Sequence, residues 1–385
     1  MFGRASAIIK DPEKLSFDYV PEKLIGREEQ YDKLTMIFRP VMESGRSESA
    51  FLTGSVGTGK TSTAKRFIDD MMKYANLNGV PMDYIFVNCR QSSTESAVLY
   101  KCVTRFDPNY PDRGFSPQEM LRALKAHIEK RKIRLVIVLD EVNILLKRGS
   151  GDLIYQLSRI SEESFNTPLS VSMILISQEY VLDRLDTASL STFKRVNTIR
   201  FNKYDFNTLK RIVQSRAEMA LIDGSYNDDV VSLVADRATG DGDARFAIDL
   251  LDKAARLAET RSDGLITADD VRSVSDMVFS VVNQPKLEEL GKNELLVLLA
   301  VARAIKSQAS VPLSVAEKTY AVVCEEYEVE ARKHTQFYEY IRNLIKMNLL
   351  VEPPQDSARY KTVSIPDIPS KELAKRIEAV LERTL

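Results

Sequence analysis

Residues 50–61 read Ala-Phe-Leu-Thr-Gly-Ser-Val-Gly-Thr-Gly-Lys-Thr, a short apolar run followed by a glycine-rich loop that ends in Lys60 and Thr61. Glycines let such a loop turn tightly and aim successive N–H groups inward, and a helix that begins near Lys60 adds the positive end of its dipole. The loop has the spacing G-x-x-x-x-G-K-[ST] and therefore predicts a phosphate cradle between a strand and a helix. Lys60 is expected to reach the β- and γ-phosphates, and the Thr61 hydroxyl to bind Mg²⁺.

An acidic pair strengthens this prediction. The apolar stretch 135–139 ends in Asp140 and Glu141. Asp140 is expected to hold Mg²⁺ through water, and Glu141 to orient and deprotonate the water that attacks the γ-phosphate. By itself such a pair is also typical of a solvated strand end, so the prediction depends on the loop. Gln178, at the end of a later strand, either contacts the γ-phosphate or the attacking water, or is an ordinary polar strand end.

Composition excludes several classes of protein. The chain has 385 residues, which suggests two or three domains, and 44% of them are hydrophobic. No apolar run approaches the roughly 20 residues that span a membrane, so the cytoplasm is the expected location. Cys89, Cys102 and Cys324 lack metal-ligand spacing and are expected to be packed or free thiols. The net charge of −1 means that any nucleic-acid contact must come from a local patch.

Strand and helix patterns alternate in the first half of the chain. Apolar runs predict strands before the glycine loop and at 83–88, 134–140, 170–177 and 196–201. Helical patterns predict helices at 28–41, 61–76, 118–131 and 152–164. This alternation predicts an α/β fold with a doubly wound parallel sheet of five strands.

The second half is helical and divides into two modules. Helices are expected at 206–221, 228–238, 244–260 and 267–282 in an all-α bundle, and at 289–305, 313–326 and 334–347 in a terminal module. A hairpin formed by 349–351 and 359–365 should follow the last helix. Three helices and a hairpin predict a winged helix, with residues 333–336 at the start of its recognition helix. The predicted domains are 1–203, 204–283 and 284–385.

Two further groups of residues are functional candidates. Gly242-Asp243-Ala244-Arg245 opens a bundle helix, and the Arg245 guanidinium can sense a γ-phosphate if its domain moves; a surface salt bridge is the alternative. In the terminal module, residues 291–385 contain 14 Lys+Arg and 13 Asp+Glu, so only a local basic face is available. DNA binding and protein binding are both open for such a module. The candidate DNA contacts are Lys333, His334, Thr335, Gln336, Tyr338, Arg359 and Lys361.

With these features in this order, the chain resembles archaeal DNA replication initiators of the AAA+ origin-recognition type, which are related to the eukaryotic origin recognition complex and its helicase-loading partner. The most specific marks are the Gly-Asp-Ala-Arg stretch, which continues Phe-Ala-Ile-Asp-Leu-Leu251, and the combination of the three modules. The resemblance implies an AAA+ core, an all-α lid and a C-terminal winged-helix domain. It also implies that Arg113, in Arg-Gly-Phe-Ser116, touches DNA from an extra helical element of the core.

The resemblance assigns roles to individual residues. The stretch from Gly54 to Thr61 matches Walker A, Asp140-Glu141 matches Walker B, and Arg245 matches the sensor arginine of the lid. Family members usually carry Asn at the position of Gln178, and Arg184, Lys194 and Arg195 compete for the arginine finger. The implied nucleotide-binding residues are Val20, Pro21, Arg27, Gly54, Ser55, Val56, Gly57, Thr58, Gly59, Lys60, Thr61, Ser62, Tyr204, Arg216 and Arg245.

The resulting hypothesis is an ATP-dependent switch that uses ATP/ADP and Mg²⁺, hydrolyses ATP slowly and binds double-stranded origin DNA. The family likeness further implies the replicative helicase as a partner, with paralogous initiators or self-assembly on DNA. Two other classes remain open from the residues. One is a loader ATPase that acts on a protein clamp, and the other is a nucleotide-responsive winged-helix transcription regulator.

Overall fold

The computed structural model describes residues 6–147, 149, 151–160, 169–179, 197–240, 242–261, 264–276, 287, 290–305, 308–347, 349–352, 361–365 and 369–384. The chain forms two compact units. The sheet unit is Val20–Lys203, and the helical unit combines Met1–Tyr19 with Tyr204–Leu385. Among the described helices, none is long and apolar enough to cross a bilayer. All three cysteines are free and buried, as the sequence predicts.

The sheet unit contains a five-stranded sheet in which every neighbouring pair is parallel. The predicted doubly wound sheet is therefore confirmed. The strand order is β2-β3-β4-β1-β5, so β1 and β3 both flank β4. The strands are β1 (Ser49–Thr53), β2 (Met82–Asn88), β3 (Arg134–Asp140), β4 (Ser170–Ser177) and β5 (Thr198–Arg200).

Helices cover both faces of this sheet because its strands are apolar on both sides. In β3, Leu135, Ile137 and Leu139 belong to one buried cluster, whereas Val136 and Val138 belong to another. This alternation follows from the two-residue period of a strand. The helices are α1 (Glu28–Ser44), α2 (Lys60–Leu77), α3 (Glu95–Thr104), α4 (Pro117–Arg131), α5 (Val142–Lys147) and α6 (Gly151–Arg159).

After Tyr204, four described helices form a bundle in the helical unit. The N-terminal segment of the chain completes the apolar core of this bundle. Ile8, Ile9 and Leu15 are buried among apolar side chains of the bundle. The Lys10 N–H donates to the carbonyl of Ala220 at 2.8 Å. From the sequence, residues 1–203 are expected to form one domain, but this segment packs with the bundle. The helices are α7 (Phe206–Ala220), α8 (Asp228–Thr239), α9 (Ala244–Glu259) and α10 (Ala268–Asp276).

The terminal module has the predicted winged-helix elements. An antiparallel bridge joins Val351 to Ser364, and the returning strand also pairs with a short strand that precedes the second helix. The predicted turn at 353–356 lies outside the described residues. The elements are α11 (Lys292–Ile305), β6 (Val311–Pro312), α12 (Leu313–Glu326), α13 (His334–Lys346), β7 (Thr362–Val363) and an unpredicted terminal helix, α14 (Ser370–Thr384).

A fully buried arginine joins the bundle to the terminal module. The Arg272 guanidinium donates to the carbonyls of Gln308 at 2.7 Å and Ala309 at 2.9 Å. It also forms an ion pair with Asp269, whose carboxylate accepts a hydrogen bond of 3.1 Å from the Ser370 hydroxyl. Burial lowers the pKa of Arg272, although Asp269 opposes this effect. The two modules thus share a polar contact that is centred on a fully buried guanidinium.

At the carboxyl end of β1, the glycine loop packs directly against the segment that follows β5. The Phe201 N–H donates to the Thr53 carbonyl at 2.8 Å. Gly54 has a φ of +156°, and a Cβ atom at this position would lie 2.2 Å from the Phe201 carbonyl oxygen. This close approach requires glycine.

We expect Gly54→Ala to destabilise the sheet unit by about 1–3 kcal/mol, because the added methyl group overpacks a backbone contact. Gly79→Ala is the control: Gly79 also has a positive φ, but no atom lies within 4 Å of the added Cβ. Amide hydrogen exchange of β1 and β5 measures the difference locally, which suits a chain with two units. Equal exchange in the two variants would contradict the packing argument.

Candidate nucleotide-binding site

The glycine loop is held in shape by donors from the loop and from α2. The Thr58 hydroxyl donates to the Ser55 carbonyl at 2.8 Å. The Lys60 ammonium group, which is almost fully buried, donates to the carbonyls of Gly54 and Ser55, both at 2.6 Å. At the start of α2, the Thr63 hydroxyl donates to the Gly59 carbonyl at 2.8 Å. Every one of these bonds occupies a backbone oxygen of the loop.

The engaged carbonyls determine where the loop N–H groups point. In a planar trans peptide, the C=O of one residue and the N–H of the next point in opposite directions. Donors hold the carbonyls of Gly54, Ser55 and Gly59. The N–H group of the residue after each of these three therefore points away from the donor. Together with the N-terminus of α2, which begins at Lys60, such N–H groups form an anion-binding concavity. This arrangement fits the phosphates of a nucleotide.

Oxygen ligands for a divalent cation lie beside the loop. The Thr61 hydroxyl donates to an Asp140 carboxylate oxygen at 3.0 Å. Asp140 is 6% exposed, and burial raises its pKa even though the Thr61 hydrogen bond opposes the rise. A hydroxyl and a carboxylate at this separation suit Mg²⁺, which prefers hard oxygen ligands. The structure thus brings together the two predicted metal ligands.

Glu141 is held by two polar side chains from neighbouring strand ends. Its backbone φ is +56°, an uncommon conformation for a residue other than glycine. Arg90 donates to both carboxylate oxygens, at 2.9 and 3.3 Å, and the Gln178 amide donates to one of them at 3.3 Å. Gln178 therefore contacts the proposed base. Arg90 is absent from the candidates taken from sequence, because it belongs to no motif and only the pairing of β2 with β3 brings it here.

The N-terminal candidates of the sheet unit have two different surroundings. Arg27 is buried, and its guanidinium donates to the Thr58 carbonyl of the loop at 2.7 Å. Val20 and Pro21 are half-buried. Val20 lines an open cavity of about 360 Å³ together with side chains of α2 and β2, which are Lys65, Arg66, Ile68, Asp69, Met72, Tyr84 and Phe86.

Three nucleotide candidates belong to the helical unit. Tyr204 is buried, and its N–H donates to the Gly242 carbonyl at 3.4 Å. Arg216 is buried beneath the N-terminal segment: it donates to the Lys14 carbonyl at 2.7 Å, and its guanidinium carbon lies 4.8 Å from the centre of the Tyr19 ring. Burial lowers the pKa of Arg216.

Arg245 lies in the first turn of α9. The Asp243 carboxylate caps this helix by accepting the N–H groups of Arg245 and Phe246, at 2.8 and 3.1 Å. The Arg245 guanidinium carbon lies 5.7 Å from the centre of the Phe17 ring, and Phe17 is 63% exposed. The predicted sensor arginine is thus flanked by an aromatic residue that the sequence did not single out. The arginine-finger candidates Arg184, Lys194 and Arg195 lie outside the described residues.

Most of the candidate DNA contacts that the structure describes are exposed. Residues 333–336 are exposed at the start of α13, Tyr338 is half-buried, and Lys361 is exposed beside β7. The His334 ring is hydrogen-bonded to Glu317 at 2.7 Å, and it is tilted by 53° to the Tyr338 ring, with 4.5 Å between ring centres. Arg113 is 93% exposed in the turn before α4 rather than in a helix. Arg359 lies outside the described residues.

Comparisons with known proteins agree across all three modules. A model described as an AAA domain matches residues 44–185, the Cdc6 AAA+ ATPase-type lid domain matches 210–276, and the CDC6 C-terminal winged helix domain matches 286–373. The ORC1-type DNA replication protein 2 of Saccharolobus solfataricus is 29% identical over 349 residues, which cover 88% of this chain and 84% of that protein.

Solved structures give the same result. Cdc6p from Pyrobaculum aerophilum matches with a TM-score of 0.83 and 26% identity, over 98% of this chain and 100% of that one. The Aeropyrum pernix ORC1 protein, solved in complex with DNA, matches with a TM-score of 0.66 and 26% identity, over 99% and 98%. With the loop, the acidic pair, the lid and the winged helix in their observed order, this chain belongs to the Cdc6/ORC1-type AAA+ proteins.

Proposed function

We propose that this protein is an ATP-dependent replication initiator that binds double-stranded origin DNA and helps to recruit the replicative helicase. The observation that carries the proposal is the Thr61–Asp140 pair beside a loop whose N–H groups are preorganised for phosphate. The names of its relatives as ORC1-type DNA replication proteins support a role in replication. The A. pernix ORC1 protein, solved in complex with DNA, supports DNA as a ligand of this chain.

In the proposed reaction, ATP is cleaved to ADP and phosphate by water. The loop N–H groups and Lys60 bind the phosphates. Thr61 and Asp140 would hold Mg²⁺, which would supply positive charge to the phosphate oxygens. Glu141 accepts a proton from the attacking water. Its ion pair with Arg90 keeps the carboxylate engaged elsewhere, which supports slow hydrolysis and a switch role. Gln178 orients the same carboxylate, and Arg245 senses the γ-phosphate.

The winged helix is proposed to hold the DNA. Lys333 and Lys361 are exposed cations that suit backbone phosphates, and His334, Thr335 and Gln336 occupy the helix start, where recognition helices contact base edges. The nearly balanced charge of the chain means that affinity depends on this local face. Arg113 supplies a further exposed cation in the sheet unit.

Lys60→Ala should abolish ATP binding, because the loop loses the cation that reaches the phosphates. Glu141→Gln should bind ATP with wild-type affinity but hydrolyse it at least about 100-fold more slowly, since it removes the general base. Calorimetry and phosphate release measure the two effects. Lys73→Ala, which breaks an exposed ion pair on the same helix, is the control. Normal turnover by the Glu141 variant would exclude its role as base.

Arg90→Ala should increase hydrolysis about two- to fivefold, because the exposed ion pair holds the Glu141 carboxylate only weakly. ATP affinity should not change, since Arg90 contacts Glu141 rather than the loop. Single-turnover phosphate release at saturating ATP isolates this step. Arg105→Ala, which breaks a similar exposed pair with Asp83, is the control. A slower Arg90 variant would show that the guanidinium assists the reaction.

Lys333→Ala should weaken binding to origin and random DNA alike and reduce the salt slope by about 1, because it removes one phosphate contact. Gln336→Ala should instead reduce the preference for origin DNA, by about 1–3 kcal/mol. Fluorescence anisotropy over a salt series, with ATP and with ADP, measures both. Lys318→Ala, on the exposed side of α12, is the control. Equal wild-type affinity for origin, promoter and random DNA would contradict origin recognition.

A further inference from the structure

Arg27 ties the glycine loop to two other segments of the sheet unit. The residue precedes α1 and is only 6% exposed. Its guanidinium donates to three backbone carbonyls: Thr58 at 2.7 Å, Gly26 at 2.6 Å and Asn202 at 2.7 Å. The guanidinium carbon also lies 5.6 Å from the centre of the Phe201 ring. One buried side chain thus contacts its own turn, the loop and the segment after β5.

The shape of the guanidinium makes this contact rigid. Its N–H donors lie in one plane at fixed angles, so the three accepting carbonyls must keep fixed relative positions. Lysine offers only a single ammonium group, which cannot reproduce this fork. The Thr58 and Asn202 carbonyls are therefore held at a set separation. The loop is also pressed against this second segment at Gly54, where the Phe201 carbonyl leaves no room for a Cβ atom.

The Thr58 carbonyl is the oxygen that decides the direction of the next N–H group. Because the peptide is planar, fixing this carbonyl toward Arg27 aims the Gly59 N–H the opposite way. The Gly54, Ser55 and Gly59 carbonyls accept from Thr58, Lys60 or Thr63, which belong to the loop and α2. Arg27 comes from outside both. Its bond therefore fixes the loop relative to the rest of the sheet unit.

We infer that Arg27 is a positioning residue of the phosphate loop, one that orients the Gly59 N–H through the Thr58 carbonyl. This goes beyond a direct contact with the nucleotide, the role that the family resemblance implies for Arg27. The inference rests on the proposed nucleotide binding. If Arg27 positions the loop, its loss should weaken the binding of the phosphate chain, whichever base is attached to that chain.

The test compares Arg27→Met and Arg27→Lys with wild-type protein. Arg46→Met, which breaks an exposed ion pair in the same unit, is the control. The first measurement is amide hydrogen exchange of residues 55–60 without ligand. Exchange of these amides should rise in both Arg27 variants and stay at the wild-type rate in the control. If Arg27→Met unfolds the sheet unit, Arg27→Lys, which keeps the charge and one donor group, carries the test.

The second measurement is the affinity for Mg-ATP and for Mg-tripolyphosphate, which has no base. Both affinities should fall by the same factor, about 10- to 100-fold, as expected for the loss of hydrogen bonds from a charged donor. A loss confined to ATP, with unchanged loop exchange, would overturn the inference and favour contact with the base. Failure of the wild-type protein to bind either ligand would refute the proposed function, while the ligand-free exchange would still decide the role of Arg27.

Discussion

The parallel pairing of β4 with both β1 and β3 is the constraint on which the site depends. Thr53 pairs with Ser177, and Leu139 pairs with Leu175, so the ends of the three strands lie side by side. The glycine loop follows β1, Asp140 ends β3 with Glu141 directly after it, and Gln178 follows β4. Thr61 and Asp140, which are 79 positions apart in sequence, therefore meet at one edge of the sheet.

The same arrangement buries charged groups at this edge of the sheet, which costs free energy. Lys60, Arg27 and Asp140 are each less than 9% exposed, and removing such groups from water costs several kcal/mol per ion unless partners replace the solvent. Backbone carbonyls replace water around the charged groups of Arg27 and Lys60. The Thr61 hydroxyl replaces part of the water around the Asp140 carboxylate. The apolar clusters on both faces of the sheet offset the remaining cost.

Local patterns predict much of this structure. The ranges 134–140, 170–177 and 313–326 are strands or helices at those same residues, because each pattern is long and its period is clear. What the sequence does not reveal depends on contacts between distant segments. Ile8 and Ile9 do not belong to a periodic apolar pattern. Only their contacts with the bundle show that they lie in its core. Arg90 is an exposed arginine that belongs to no motif. The sequence patterns also do not predict α3 or α14. The family resemblance, rather than residue spacing, singled out Tyr204, Arg216 and Arg27.

The N-terminal segment packs with helices that lie far from it in the sequence. Residues 6–15 supply part of the core of a bundle whose helices begin about 190 positions later, and the chain passes between the two units at both Tyr19–Val20 and Lys203–Tyr204. A gene fragment that starts at Tyr204 would encode a bundle with an unfilled apolar groove where Ile8 and Ile9 belong. A fragment that is to keep the complete apolar core of this bundle therefore has to include residues 6–15 as well as the helices.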